Sequence, residues 1–134
     1  MMRTLEEVRQ FLSKDAFAFD VCGITVDETG DGTAKCSMPI RPMHMNSNGV
    51  VQGGAIFTLV DICFAAAANT GEMLTVAQGA DIHYLRPGTG SCLYAEAQRI
   101  FEGRSTAHYR IEVYDDQHRL TASASMTGFH VQPR

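Results

Sequence analysis

The sequence lacks tryptophan, carries only four prolines, and has no run of one charge. Eleven Lys and Arg stand against 15 Asp and Glu, for a net charge of −4. No basic stripe marks a path for phosphates, which argues against nucleic acid as the main partner. The four cysteines (Cys22, Cys36, Cys63 and Cys92) are far apart and form no C-x-x-C. They read as reduced, structural thiols, which points to a cytoplasmic setting. The five histidines show neither H-x-H nor i, i+4 spacing, so no metal site is expected. There is no G-x-S-x-G and no readable Ser/His/Asp order. Residues 1–14 are too polar to hold the apolar stretch of a signal peptide. One long apolar run exists, Val50 to Ala68, but Gln52, Gly53, Gly54 and Asp61 interrupt it. A central Asp costs about 2.5–3.5 kcal/mol in a membrane, so a core helix is expected and no membrane partner.

What is present is organised around Asn46 to Asn69, a polar, glycine-rich loop that becomes apolar. Between Arg41 and Glu72 the only Asp, Glu, Lys or Arg is Asp61. A lone carboxylate in apolar surroundings is costly unless it is paired, hydrogen-bonded or protonated, which singles Asp61 out.

The 134 residues suit one domain, 1–134, with no repeat or linker. A short amphipathic helix is expected at about 4–13, with Thr4 as cap and Glu7 three residues on. A strand from Gly23 to Asp27, the turn E-T-G-D-G and a strand from Thr33 to Ile40 form a hairpin. The long helix covers roughly Gly54 to Asn69. Strands follow at Thr75–Leu85, Ser91–Phe101, Thr106–Tyr114 and Leu120–Val131, the last two alternating with a period of two. Short connections favour an antiparallel sheet. The single long helix is apolar around most of its circumference and must be covered on more than one side. A strongly curved sheet wrapped around that helix, an α+β fold, satisfies both demands.

At a helix start the first N–H groups are unpaired and lie at the positive end of the dipole. Glycine there lets a ligand approach the backbone. The Gly53 N–H is thus a candidate oxyanion donor for attack on a carbonyl, although a Gly pair also suits a tight turn or close helix–sheet packing. Asp61 is a candidate nucleophile or general base, and equally a structural acid. Eight helical residues span about 12 Å, so Gly53 and Asp61 of one chain do not reach one carbonyl carbon. A second copy of the helix running antiparallel brings Asp61 of one chain to Gly53 of the other, which predicts a homodimer with shared sites. Asn46 is a candidate for positioning the carbonyl or the water, or a turn residue. Arg86 and Arg104 are candidates for phosphates, or solvated turn arginines. Met43, Met45, Phe57, Leu59, Phe64 and Met73 either line an acyl pocket or belong to the core.

The motif Asn46, Gly49, Gln52-Gly53-Gly54 and Asp61, with F-A-A-A-A-N-T-G after it and L-R-P-G at Leu85 to Gly88, resembles the hotdog-fold thioesterase superfamily, PaaI-type acyl-CoA thioesterases in particular. The likeness covers roughly residues 15–131. It implies the hotdog fold and hydrolysis of an acyl-CoA thioester to free acid and coenzyme A. It further implies no metal or organic cofactor beyond coenzyme A as part of the substrate, and a dimer of dimers, a homotetramer. By this likeness Asp61, Gly53 and Asn46 are catalytic, and Gln52, Gly54 and Gln78 contact substrate. Two positions depart from the pattern. Gln52 stands where the family has His, and the Gln78 amide stands near the place of a supporting Ser or Thr. Gln52 keeps a rival open, a catalytically weak hotdog protein that binds acyl-CoA as sensor or scaffold. A hotdog dehydratase ranks last, because it needs a His paired with a carboxylate.

Overall fold

Turn residues and caps set the element boundaries. The computed structural model describes residues 1–131. Residues 132–134 of the expected single domain lie outside the described residues. Helix α1 (Leu5–Leu12) opens on the capping box: Thr4 Oγ1 accepts the Glu7 N–H, and the Glu7 carboxylate accepts the Thr4 N–H. It buries Val8, and Arg9 donates to the Val26 carbonyl, pinning α1 to strand β1 (Thr25–Gly30). Strand β1 runs past its expected end at Asp27. Thr29 pairs with Ala34 and Gly30 with Thr33, so only Asp31 and Gly32 turn the hairpin into β2 (Thr33–Pro39). Gly32 takes a φ of 69°, a conformation that glycine adopts without strain.

Helix α2 (Gly53–Ala68) is followed by β3 (Leu74–Tyr84), β4 (Cys92–Glu102), β5 (Thr106–Tyr114) and β6 (Leu120–Val131). All six strands form one antiparallel sheet in the order β1-β2-β4-β5-β6-β3. Short connections therefore do not always join neighbours. The R-P-G-T-G segment carries the chain from β3, at one edge, to β4 in the middle. Alternation puts Ala34, Cys36 and Met38, Leu93, Ala95 and Ala97, and Ala107, Tyr109, Ile111 and Val113 on the inner face, where all are buried. The many alanines let α2 nest closely. Its Leu59, Val60, Cys63 and Phe64 are buried against them, with Phe64 edge-on to Tyr109 at 5.4 Å. This is the α+β hotdog arrangement: a curved sheet wrapped around one helix.

Two of the histidines are buried in the fold. His44 is buried, accepting the Arg41 N–H at Nδ1 and donating from Nε2 to the Cys22 carbonyl. His130 is buried against Thr75 Oγ1 at 2.8 Å. Helix α2 is covered on more than one side, as expected, and leaves one open stripe at i, i+4, i+7, i+11, where Gly54 and Asp61 are exposed and Thr58 and Ala65 half-buried. Strand β3 is open as well. It pairs only with β6, and every residue except Thr75 and Ile82 is exposed. Among the described residues no helix is long and apolar enough to cross a membrane.

Candidate active site

The loop before α2 is held by its own backbone and by Asn46. The Asn46 side-chain oxygen accepts the N–H groups of Asn48 (2.9 Å) and Val50 (3.2 Å), and its N–H donates to the Val50 carbonyl (2.8 Å). Asn46 is thus a turn residue, with its side-chain NH2 left over as a donor. Val51 N–H donates to Gly88 and Gln52 N–H to His44, which clamps the loop between two connections. Gln52 is the helix cap, but its side chain makes no capping hydrogen bond. Only its carbonyl serves, accepting Ala55 N–H at 3.0 Å and Ile56 N–H at 3.2 Å. The Gln52 side-chain oxygen lies 2.9 Å from where a Cβ on Gly54 would stand. Gly53 is roofed by Tyr84, whose ring carbon Cζ is 3.2 Å from the corresponding Cβ position and whose hydroxyl donates to the Gly53 carbonyl at 3.1 Å. The Gly53 and Gly54 N–H groups have no acceptor in the helix and none elsewhere among the described residues.

Gly53 lines an open groove of ≈ 430 Å³ together with Asn46, Val50, Ile56, Tyr84 and Arg86, among others. A second groove, ≈ 440 Å³, crosses the outer face of the sheet between Glu28, Lys35, Glu96, Arg110 and Glu112. Its lining is solvated charge of both signs and includes none of the expected site residues.

Asp61 lies two turns further along α2 on the open stripe. Although solvent reaches it, the surrounding apolar wall partly desolvates its carboxyl and raises it from its ordinary value, and the Asp15 carboxylate adds to the shift. Neither a cation nor a hydrogen bond offsets this. Gln78 is the extra residue of a β-bulge in β3, between the pairs Ala77–Gly128 and Gly79–Thr127. It is exposed and does not line the groove. Asn46, Gln52, Gly53 and Gly54 are therefore together, whereas Asp61 and Gln78 stand apart from them within one chain. Of the residues considered for an acyl pocket, Leu59 and Phe64 are core, and Met43, Met45 and Met73 are exposed. Arg86 sits at the groove. Arg104 is at the far end of the sheet, about 30 Å away along β6 from Thr121 to His130. No three His, Cys, Asp or Glu side chains converge on a possible metal position among the described residues.

Sequence reasoning missed Tyr84 and Asp15. Tyr84 ends a strand with no pattern that separates it from core aromatics. Asp15 caps an irregular π-helical turn, Phe17–Val21, by accepting the Ala18 N–H at 3.0 Å. Neither leaves a signal in spacing.

A family model described as the thioesterase superfamily matches residues 48–122, from the glycine loop through Asp61 and Tyr84 to β6. The chain belongs to the thioesterase superfamily. Acyl-coenzyme A thioesterase PaaI of Escherichia coli K12 is 34% identical over 101 residues, 75% of this chain and 72% of that protein. A relative from Archaeoglobus fulgidus is 33% identical over 128 residues, 95% of this chain and 83% of its own length. The solved structure of the E. coli PaaI protein superimposes with a TM-score of 0.89 at 26% identity, covering 96% of this chain and 94% of that one. The chain is thus a PaaI-like thioesterase-superfamily hydrolase, and its chemistry is the hydrolysis of thioesters. The Gln52 side chain beside Gly53 is a neutral amide, which donates and accepts hydrogen bonds but carries no titrating proton.

Proposed function

We propose that this thioesterase acts on acyl-CoA as a homodimer with two shared sites. One observation carries the reading: Gly53, whose N–H is unpaired, lines a groove, while the lone acid Asp61 occupies the one open stripe of the same helix. The acyl carbonyl oxygen rests on the Gly53 N–H, with the Asn46 side-chain NH2 beside it. Asp61 of the second chain either takes a proton from the attacking water or attacks the carbon itself to give an anhydride that water then opens. Either way the tetrahedral oxyanion collapses, the C–S bond breaks, and coenzyme A leaves as the thiol with the acid released. The scheme needs no metal or organic cofactor. Gln52 and Gly54 line the thioester position, and Gln78 is assigned to substrate contact from the partner side.

Two features support the dimer. Strand β3 is a long, unpaired edge carrying exposed Leu74, Val76 and Tyr84, a template for a second copy. The Asp61 stripe is flanked by Gly54, Thr58 and Ala65, small enough for a second helix to approach. Antiparallel β3 pairing carries the partner's Arg104 turn toward Arg86, so the two arginines together suit the phosphates of coenzyme A. Dimers of such dimers fit the family pattern.

The decisive experiment mixes chains carrying Asp61→Asn with chains carrying Gly53→Val. Each variant alone is inactive on a panel of acyl-CoAs followed by thiol release. After subunit exchange roughly a quarter of wild-type activity returns, because half the dimers are mixed and each holds one intact site. Proven exchange without recovery overturns the shared site. Tight acyl-CoA binding without turnover by the wild type identifies a binding protein instead.

A further inference from the structure

We infer that Tyr84 is a positioning residue for thioester hydrolysis, anchoring Gly53 through its carbonyl so that the Gly53 N–H keeps its place at the groove. The inference rests on the reading of the Gly53 region as the oxyanion site. Two successive glycines give the start of α2 the loosest backbone available to a chain. Gln52, the cap, supplies no side-chain hydrogen bond to restrain it. Preorganised donors stabilise an oxyanion only if they stay in place during the reaction. Something other than the cap must therefore hold this turn.

Tyr84 is the group in position to do so. It is the last residue of β3 and is paired with Ala122 of β6. The next two N–H groups, of Leu85 and Arg86, both donate to the Thr121 carbonyl, so its backbone is anchored to the sheet. From that anchor the ring crosses the groove mouth, 51% exposed, and lies against Gly53. The hydroxyl donates to the Gly53 carbonyl at 3.1 Å. The hydroxyl on that carbonyl and the ring packed against the same residue together restrain both peptide planes that meet at Gly53, and so hold the Gly53 N–H in place. The same contact accounts for glycine at 53: a Cβ there would meet ring atoms Cζ at 3.2 Å and Cε1 at 3.4 Å and push the tyrosine away.

The test is Tyr84→Phe, which keeps the ring and removes the hydroxyl. With an acyl-CoA that the wild type hydrolyses, kcat falls about tenfold, a fraction of the 10²–10³ that loss of a whole oxyanion donor costs, while KM stays within about twofold. The Gly53 amide, followed by NMR relaxation in the free protein, gains mobility and its order parameter drops, at an unchanged melting temperature. Wild-type kcat in Tyr84→Phe overturns the inference, as does a loss confined to KM or an unchanged Gly53 order parameter. Asp61→Asn is assayed in parallel. Full turnover by that variant sinks the reading of the site, whereas the relaxation measurement needs no substrate and judges Tyr84 on its own.

Discussion

At its C-terminal end α2 is sealed. Asn69 donates to the Ala65 carbonyl (2.9 Å) and the Thr75 carbonyl (3.0 Å) and accepts the Thr75 N–H (2.8 Å). Thr70 Oγ1 donates to the Ala67 carbonyl and accepts the Gly32 N–H, and Arg3 donates to the carbonyls of Asn69 and Gly71. At the N-terminal end the reverse holds: the cap side chain makes no bond, two glycines follow, and Gly53, whose N–H is unpaired, lines a groove. Helix ends leave orphan groups at both termini. Here one set is tied into the fold and the other is kept for a ligand. The contrast teaches where to expect stability and where to expect activity, and each end can be broken separately.

The largest effect belongs to the open side. Asp61→Asn lowers thioester hydrolysis by about 10²–10⁴, the range for losing a positioned base. Stability moves the other way or not at all. Burial and Asp15 raise the Asp61 carboxyl, so its ionised form is disfavoured in the folded chain. Above the ordinary carboxylate range the wild type therefore carries a penalty that Asn lacks. The gap closes as pH falls through that range and the carboxyl is protonated in both folded and unfolded states. Urea titrations at neutral and acidic pH read this directly, and a strongly destabilised Asp61→Asn breaks the contrast.

At the sealed end, Asn69→Ala strands the buried Thr75 N–H and carbonyl together with the end of the helix. It lowers stability by about 3 kcal/mol, since each unsatisfied buried group costs roughly 1–3 kcal/mol. Turnover per folded molecule stays within about twofold of wild type, provided assays are run well below the new melting temperature. A variant that stays stable yet loses turnover would mean that the two ends are coupled.

The two ends were unequally legible in the sequence. Elements with strong local signals were readable: the Thr4–Glu7 capping box, the period of two at Ala107 to Val113, and the apolar helix ended by Asn-Thr-Gly. The glycine loop was readable because backbone chemistry needs little beyond Gly-Gly at a helix start. Relationships set by tertiary packing were not. The order that carries β3 to the far edge beside β6 depends on how the sheet closes on α2, and no turn residue encodes it. The open stripe bearing Asp61 emerged only once the sheet had taken the other sides of the helix, because composition alone made that acid look buried. Asn46 was read as a positioning group or a turn residue. It makes the turn and keeps a free NH2, a combination that residue type cannot reveal.

Asp15 gives the smallest and most diagnostic expectation. Its carboxylate holds the Ala18 N–H at the irregular turn after α1 and also acts on Asp61 through space, second to desolvation as a cause of the raised carboxyl. Asp15→Asn removes the charge and retains a side-chain oxygen that can accept from Ala18. With the like charge gone, the Asp61 carboxyl moves back toward its ordinary value and stays ionised to lower pH. The acid limb of kcat/KM accordingly shifts to lower pH, while the plateau at neutral pH, where Asp61 is ionised in both proteins, is unchanged. A limb that does not move means that the acid seen in the pH profile is not Asp61, or that the partner chain screens it from Asp15.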